Sequence, residues 1–188
     1  TIVLKDVLAR SGLNPKDVAA VALSGLYGGS GIPVDKAGEP VRPCMIWMDR
    51  RARKETQWVK DNIPFDKIFS ITGNYVDSYY GFTKILWMKN NEPDLWKKTR
   101  QFMTPKDYVI YKFTDIAATD YSSAGNIGGI FDIHKKGWSQ EMSDALGIPL
   151  SLFPERITKS FDIVGKLNKK YAAATGLLEG TPIVAGGI

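Results

Sequence analysis

The sequence predicts an α/β fold, with α+β the alternative left open by its mixture of strands and helices, and three features carry that expectation. Two short apolar runs, "VAAVALS" at residues 18–24 and "GTPIVAGGI" at 180–188, each lead into glycines. That is how an α/β fold delivers a functional loop to the end of a buried central strand. Between these runs lie several amphipathic segments with polar caps at their starts and glycines at their ends. The 188 residues, 44% of them hydrophobic, can also fill the core of one good-sized domain.

In order, residues 2–10 read as a helix stopped by Ser11 and Gly12, and Asn14 with Pro15 reads as a cap and first helical position. Residues 18–24 read as a fully buried strand. "GIPVDKAGEPVRPCMIW" predicts a hairpin, two extended pieces around a Lys-Ala-Gly turn. A polar helix is expected over 50–62, ending near Pro64. "FDKIFSITG" is a helix closed by Gly73, and "FTKILWMKNN" a helix with Phe82, Ile85 and Leu86 on one face, the loop 75–81 joining them. "RQFMTPKDYVIYKFTD" predicts a strand running into a helix, and "TDYSSAGNIGGIFDI" a loop of small residues entering a strand. "WSQEMSDALGIP" is a helix with Ser139 as cap and Gly147 as stop. A strand at "DIVGKL", a helix at "KKYAAATG" and the final apolar strand complete the order.

Composition excludes several classes of function. No run approaches the ~18 apolar residues of a membrane span, and charges interrupt "TIVLKDVLAR", so a soluble protein without a signal core is expected. The single cysteine, Cys44, forms no internal disulfide and suits a reducing cytoplasm. The net charge of +5 is scattered apart from "DRRARK", which argues for solvated faces over nucleic-acid binding. No P-loop pattern occurs, and "GLYGGSG" lacks the dinucleotide spacing. Ser30 is not followed by the glycine of a nucleophile elbow, and one histidine, His134, gives a Ser-His-Asp hydrolase little support. One Cys and one His also cannot build a zinc cluster. His134 is read as exposed and structural, and Cys44 as a small buried hydrophobe.

"IWMDRRA" differs in kind, because a strand end there presents Trp47, Asp49 and two arginines together. An indole can cover the apolar face of a sugar, while carboxylate and guanidinium groups bond its hydroxyls. The alternative places Trp47 in the core, Asp49 as the cap of the next helix and the arginines on its surface. "DSYYGFTK" adds Tyr79 and Tyr80 before a helix, where core packing is again the alternative.

Together these stretches resemble the FGGY family of carbohydrate kinases, which includes xylulokinase, ribulokinase and glycerol kinase. The resemblance runs in order through "VAAVALSGLYGG", "PVDKAGEPVRPCMIWMDRRA", "DSYYGFTKILWM", "TPKDYVIYKFT", "TDYSSAG", "FDIHKKGWSQEMSDALGIP" and "GLLEGTPIVAGG". It implies an actin-like ATPase, ribonuclease H-like fold, with residues 1–188 forming the substrate-side N-terminal domain of a two-lobed kinase. It implies phosphoryl transfer from ATP, with magnesium, to a ketose (a xylulose-like pentulose favoured) or a polyol, both cofactors coming mainly from outside this chain. The other reading is a non-catalytic sugar-binding or regulatory module. Trp47 matches the family's substrate tryptophan, Tyr79 the substrate tyrosine of glycerol kinases, and Asp49 the Trp-x-Asp of pentulokinases. Tyr27 and Gly28 fall on the pair that reads the substrate, Met-His in xylulokinases and Arg-Glu in glycerol kinases; Gly28 leaves room for something larger or differently hydroxylated. The family's Asp-x-Gly-Thr hairpin is expected before Thr1 and its catalytic aspartate directly after Ile188, so this lobe alone is expected to be inactive. A sheet edge left open by the missing hairpin makes a homodimer an expectation.

Overall fold

The computed structural model describes residues 1–25 and 29–188. The first half of the chain runs α1 (Ile2–Ser11), β1 (Val21–Ser24), β2 (Ile32–Val34), α2 (Arg53–Asn62), α3 (Phe65–Thr72), α4 (Gly81–Asn91), α5 (Pro93–Lys98) and β3 (Gln101–Met103). The second half runs α6 (Pro105–Thr114), β4 (Ala118–Asp120), α7 (Tyr121–Ile127), β5 (Phe131–Asp132), β6 (Gly137–Trp138), α8 (Gln140–Leu146), β7 (Arg156–Thr158), β8 (Ile163–Lys166), α9 (Lys169–Thr175) and β9 (Pro182–Gly187).

The helix ends follow the local chemistry. Gly12, Gly73 and Gly147 all adopt the left-handed conformation that closes a helix. Ser139 accepts the Met142 N–H at the start of α8, and Thr104 does the same for Asp107 at the start of α6, where Pro105 occupies the first turn.

β9 is the central strand of a three-stranded sheet ordered β1-β9-β8, parallel to β1 and antiparallel to β8. Register slips near its end, where Ala22 faces Val184 but Ser24 faces Gly187. Gly186 makes that bulge, at φ 64° and with a built Cβ only 1.7 Å from the Leu23 carbonyl oxygen, so no side chain fits. The glycines that end the sequence are thus a bent strand terminus.

Four expectations are corrected. The strand expected over 18–24 is four residues long, and it is half-buried, with Val21 inside and Ala22 and Ser24 exposed. Among the described residues β1 pairs only with β9 and lies at the edge of its sheet. The expected hairpin is a turn with a single bridge, Val34 to Pro40, and β2 pairs instead with β3. Asp35 closes that turn by accepting the N–H groups of Ala37 and Glu39, whereas Pro40 and Pro43 have no N–H with which to extend a ladder. The expected loop after Asp120 is α7, nucleated because the Asp120 carboxylate accepts the N–H groups of Ser122 and Ser123. Finally, "EPDLWKK" forms α5, with Pro93 in its first turn, where sequence reasoning saw only scattered charge.

Two apolar cores result. One joins α2, α3, α4, α7 and α8 through Val59, Ile68, Phe82, Ile85, Met142 and Phe153. The other seats α6 and α9 on the sheet through Val21, Ile110, Phe113, Val164, Ala172 and Ile183. Because β1 and β9 are parallel, Gly25 and Ile188 leave the sheet at the same end, where an open α/β sheet binds its ligands. α6 begins there too, since a Cβ on Gly25 would lie 2.9 Å from the Lys106 Cβ.

Candidate functional site

Beyond those strand ends the chain from Cys44 to Arg51 and the loop 75–81 lie side by side. Trp47 is on the surface, 37% exposed, which removes the core alternative. Its ring meets that of Tyr79 edge-on, with centroids 6.3 Å apart, and Tyr79 meets Tyr80 edge-on at 5.4 Å. These rings make a continuous aromatic wall.

The loop behind the wall is tied down. Arg50 pairs with Asp77, bonds Ser78 Oγ at 3.3 Å and lies 6.0 Å from the centre of the Tyr79 ring. Asp77 also accepts the Tyr79 N–H at 2.6 Å. Burial pushes the Asp77 carboxyl up, but that bond and Arg50 outweigh it and hold it below the usual carboxylate range. Gly81 then starts α4 hard against residue 29, because a Cβ on it would lie 2.1 Å from the Gly29 carbonyl oxygen.

Asp49 does not cap α2, which begins at Arg53. Its carboxylate accepts the Arg51 backbone N–H at 3.0 Å and receives the Arg51 guanidinium on both oxygens, at 3.0 and 2.9 Å from Nε. Arg51 in turn lies over the Trp87 ring at 4.8 Å. Burial raises the Asp49 carboxyl and the Arg51 bonds lower it, with a net shift downward. Asp49 is therefore a fixed, ionised acceptor, poorly suited to serve as the base of a reaction.

Two buried lysines were not singled out from the sequence. Lys84, fully buried in the first turn of α4, donates to the carbonyl oxygens of Ser78 at 2.5 Å and Tyr79 at 2.7 Å. Lys106, buried at the start of α6, contacts Asp107 at 2.5 Å and Asp120 at 2.7 Å. Asp120 also accepts the hydroxyls of Ser122 and Ser123, and Ser122 Oγ accepts the Ile188 N–H at 3.4 Å. A cleft lined by Gly29, Ile46, Thr104, Lys106, Ser123 and Ile188 runs from Ile46, the chain neighbour of Trp47, to the end of β9.

Trp47 and Tyr79 are thus brought together, Asp49 is turned to Arg51, and Tyr27 and Gly28 lie outside the described residues. Cys44 lines the cleft, its thiol pushed up by burial. Ser30 is buried with its hydroxyl donated to the Gly31 carbonyl, a structural bond. His134 is exposed, with Nε2 2.9 Å from the Ser70 carbonyl oxygen. Among the described residues no three His, Cys, Asp or Glu side chains converge as cation ligands, and no helix is long and apolar enough to cross a membrane.

A sequence profile for the N-terminal domain of the FGGY family of carbohydrate kinases matches residues 1–188. The chain belongs to that family. Xylulose kinase of Bacillus subtilis is 34% identical over 185 residues, covering 98% of this chain and 36% of the relative. Glycerol kinase 2 of Saccharolobus solfataricus is 31% identical over 170 residues, covering 87% of this chain and 34% of the relative. The FGGY chain therefore spans about a third of the length of these relatives. Solved structures share its fold: xylulose kinase from Rhodospirillum rubrum superposes with a TM-score of 0.88 at 22% identity, covering 98% of this chain and 37% of that one. Gluconate kinase from Lactobacillus acidophilus gives 0.87 at 22% identity, covering 98% and 36%. The mixed α/β architecture is that of the N-terminal lobe of FGGY sugar kinases, the actin-like ATPase fold.

Proposed function

We propose that this chain is the substrate-side lobe of an ATP-dependent carbohydrate kinase that phosphorylates a hydroxyl of a ketose, a xylulose-like pentulose favoured over a polyol. The observation that carries this reading is the surface-exposed Trp47 ring set edge-on to Tyr79, two residues from the fixed carboxylate of Asp49 and next in the chain to Ile46, which lines a cleft that reaches Ile188. The named relatives, xylulose and glycerol kinases, support the same class of substrate.

In this reading the indole and phenol rings cover the apolar C–H face of the sugar, and Asp49 accepts hydroxyl protons as hydrogen bonds without removing them. Tyr27 and Gly28, which follow β1 in the sequence, contribute to reading the substrate. The base follows Ile188, on the strand end that Gly186 bends and Ser122 holds. Orientation of the hydroxyl towards that base is then this lobe's share of catalysis. The carboxylates of Asp107 and Asp120 are engaged by Lys106, which lines the cleft. ATP and magnesium are assigned to parts of the full-length protein outside this chain, and its setting to the cytoplasm, where ATP is at hand.

The test is a screen of the full-length protein for sugar-dependent ADP release over ketopentoses, ketohexoses, glycerol and tetritols. Release with a ketopentose is expected. Sugar binding without release would overturn the kinase reading in favour of the binding or regulatory module, and the absence of both release and binding would overturn both readings.

A further inference from the structure

A lysine in the first turn of a helix, without solvent or a carboxylate bonded to it, is an expensive choice. The positive end of the helix dipole and the loss of hydration both oppose its charge. Lys84 occupies such a position in α4, at 0% exposure, with the carbonyl oxygens of Ser78 and Tyr79 as its hydrogen-bond partners. An apolar side chain would fill the helix position more cheaply. What Lys84 uniquely supplies is a hold on two consecutive carbonyls of the loop that carries the aromatic wall. The N–H of Tyr79 is held in turn by Asp77. The main chain of Tyr79 is thereby fixed on both sides.

We infer that Lys84 is a positioning residue for the sugar, its ammonium fixing the Ser78–Tyr79 backbone so that the Tyr79 ring stands in register with Trp47. The inference rests on the kinase reading above and deepens it. Lys84 touches no reacting atom in this account; it acts through Tyr79.

The surroundings make the clamp sensitive to pH. Burial pulls the Lys84 ammonium down to about 8, with Asp49, Asp77 and Cys44 opposing that shift and Arg50 adding to it. Above that pH a neutral amine still donates, but without the charge that roughly doubles the strength of such bonds. Lysine deprotonated in the folded state yet protonated when unfolded makes the fold more stable as pH rises through this window. Sugar affinity should move the opposite way, which separates positioning from mere structure.

The experiment measures sugar KM and kcat for the full-length kinase, with the best sugar of the screen, from pH 6.5 to 9.5 in wild type, Lys84→Met and Lys84→Arg, alongside thermal melts. Lys84→Met should raise KM about tenfold, the worth of one or two charge-assisted bonds, while kcat changes less than about threefold. Wild-type KM should rise with a midpoint near pH 8. Lys84→Arg should keep most of the affinity and lose that pH dependence, since a guanidinium stays charged. An unchanged KM in Lys84→Met, or a wild-type pH profile in Lys84→Arg, would overturn the inference. If Lys84→Met melts below the assay temperature, the arginine variant alone decides. Absence of ADP release in wild type with every sugar would instead overturn the kinase reading, a separate outcome.

Discussion

Lys84 and Lys106 occupy the same kind of place and are treated in opposite ways. Each is buried in the first turn of a helix, α4 and α6, where the helix dipole disfavours a cation. Lys106 is compensated by charge, with Asp107 and Asp120 both in contact. Lys84 is hydrogen-bonded only to dipoles, the carbonyls of Ser78 and Tyr79, with the carboxylates of Asp49 and Asp77 acting on it from a distance. Charge compensation fixes a structure in the wall of the cleft, and dipole bonding leaves a buried ammonium whose pKa is pulled down to about 8. The first suits a foundation, and the second suits a contact that responds to conditions.

This contrast can be broken most forcefully at Lys106. Replacing it with Met strands two buried carboxylates, and unfolding in denaturant should show a loss of about 3–5 kcal/mol. Lys84→Met removes a costly cation and strands only two carbonyls, so its loss in the same assay should be about 1–2 kcal/mol. Equal losses would erase the distinction.

Asp120 sharpens the comparison through pH. Burial raises its carboxyl, but hydrogen bonds from Lys106, Ser122 and Ser123 win and lower it. A carboxyl depressed on folding contributes stability above its unfolded value, about 4, and loses it as pH falls through the folded one. Wild type should therefore lose stability on acidification below about pH 4, and Asp120→Asn should be weaker at neutral pH with a shallower acid limb in melts. Asp107 runs the other way, its carboxyl raised by burial against the pull of Lys106. The smallest effect is expected at the exposed Lys67–Glu141 pair, 2.9 Å apart, where Lys67→Met should change stability by less than about 1 kcal/mol.

The sequence was most legible where chemistry is local. Gly12, Gly73 and Gly147 announced helix ends and Ser139 a cap, whereas the paired glycines after "PIVA" read as the start of a loop and instead belong to the bent end of the strand. Trp47, Asp49 and Tyr79 stood out as candidates because their residue types suit a sugar, and the fold places Trp47 on the surface rather than in the core and against Tyr79. Pairing between distant segments was not legible. Nothing near "GIPV" says that its strand will pair with "QFM", and the turn residues beside it pointed to the nearer partner. Lys84 and Lys106 were hidden for the same reason, since a lysine in "FTKIL" or "TPKDY" reads as a solvated charge until tertiary packing encloses it. α7 was hidden by its serines and glycines, although Asp120 followed by two serines was the available signal of a cap.

Whether the Trp47–Tyr79 face binds the sugar is decided by steady-state kinetics of Trp47→Ala in the full-length protein. A sugar KM raised by about tenfold or more is expected, with the KM for ATP unchanged, from loss of an aromatic face against the substrate. Unchanged sugar KM in a folded variant would contradict it and return Trp47 to a structural role.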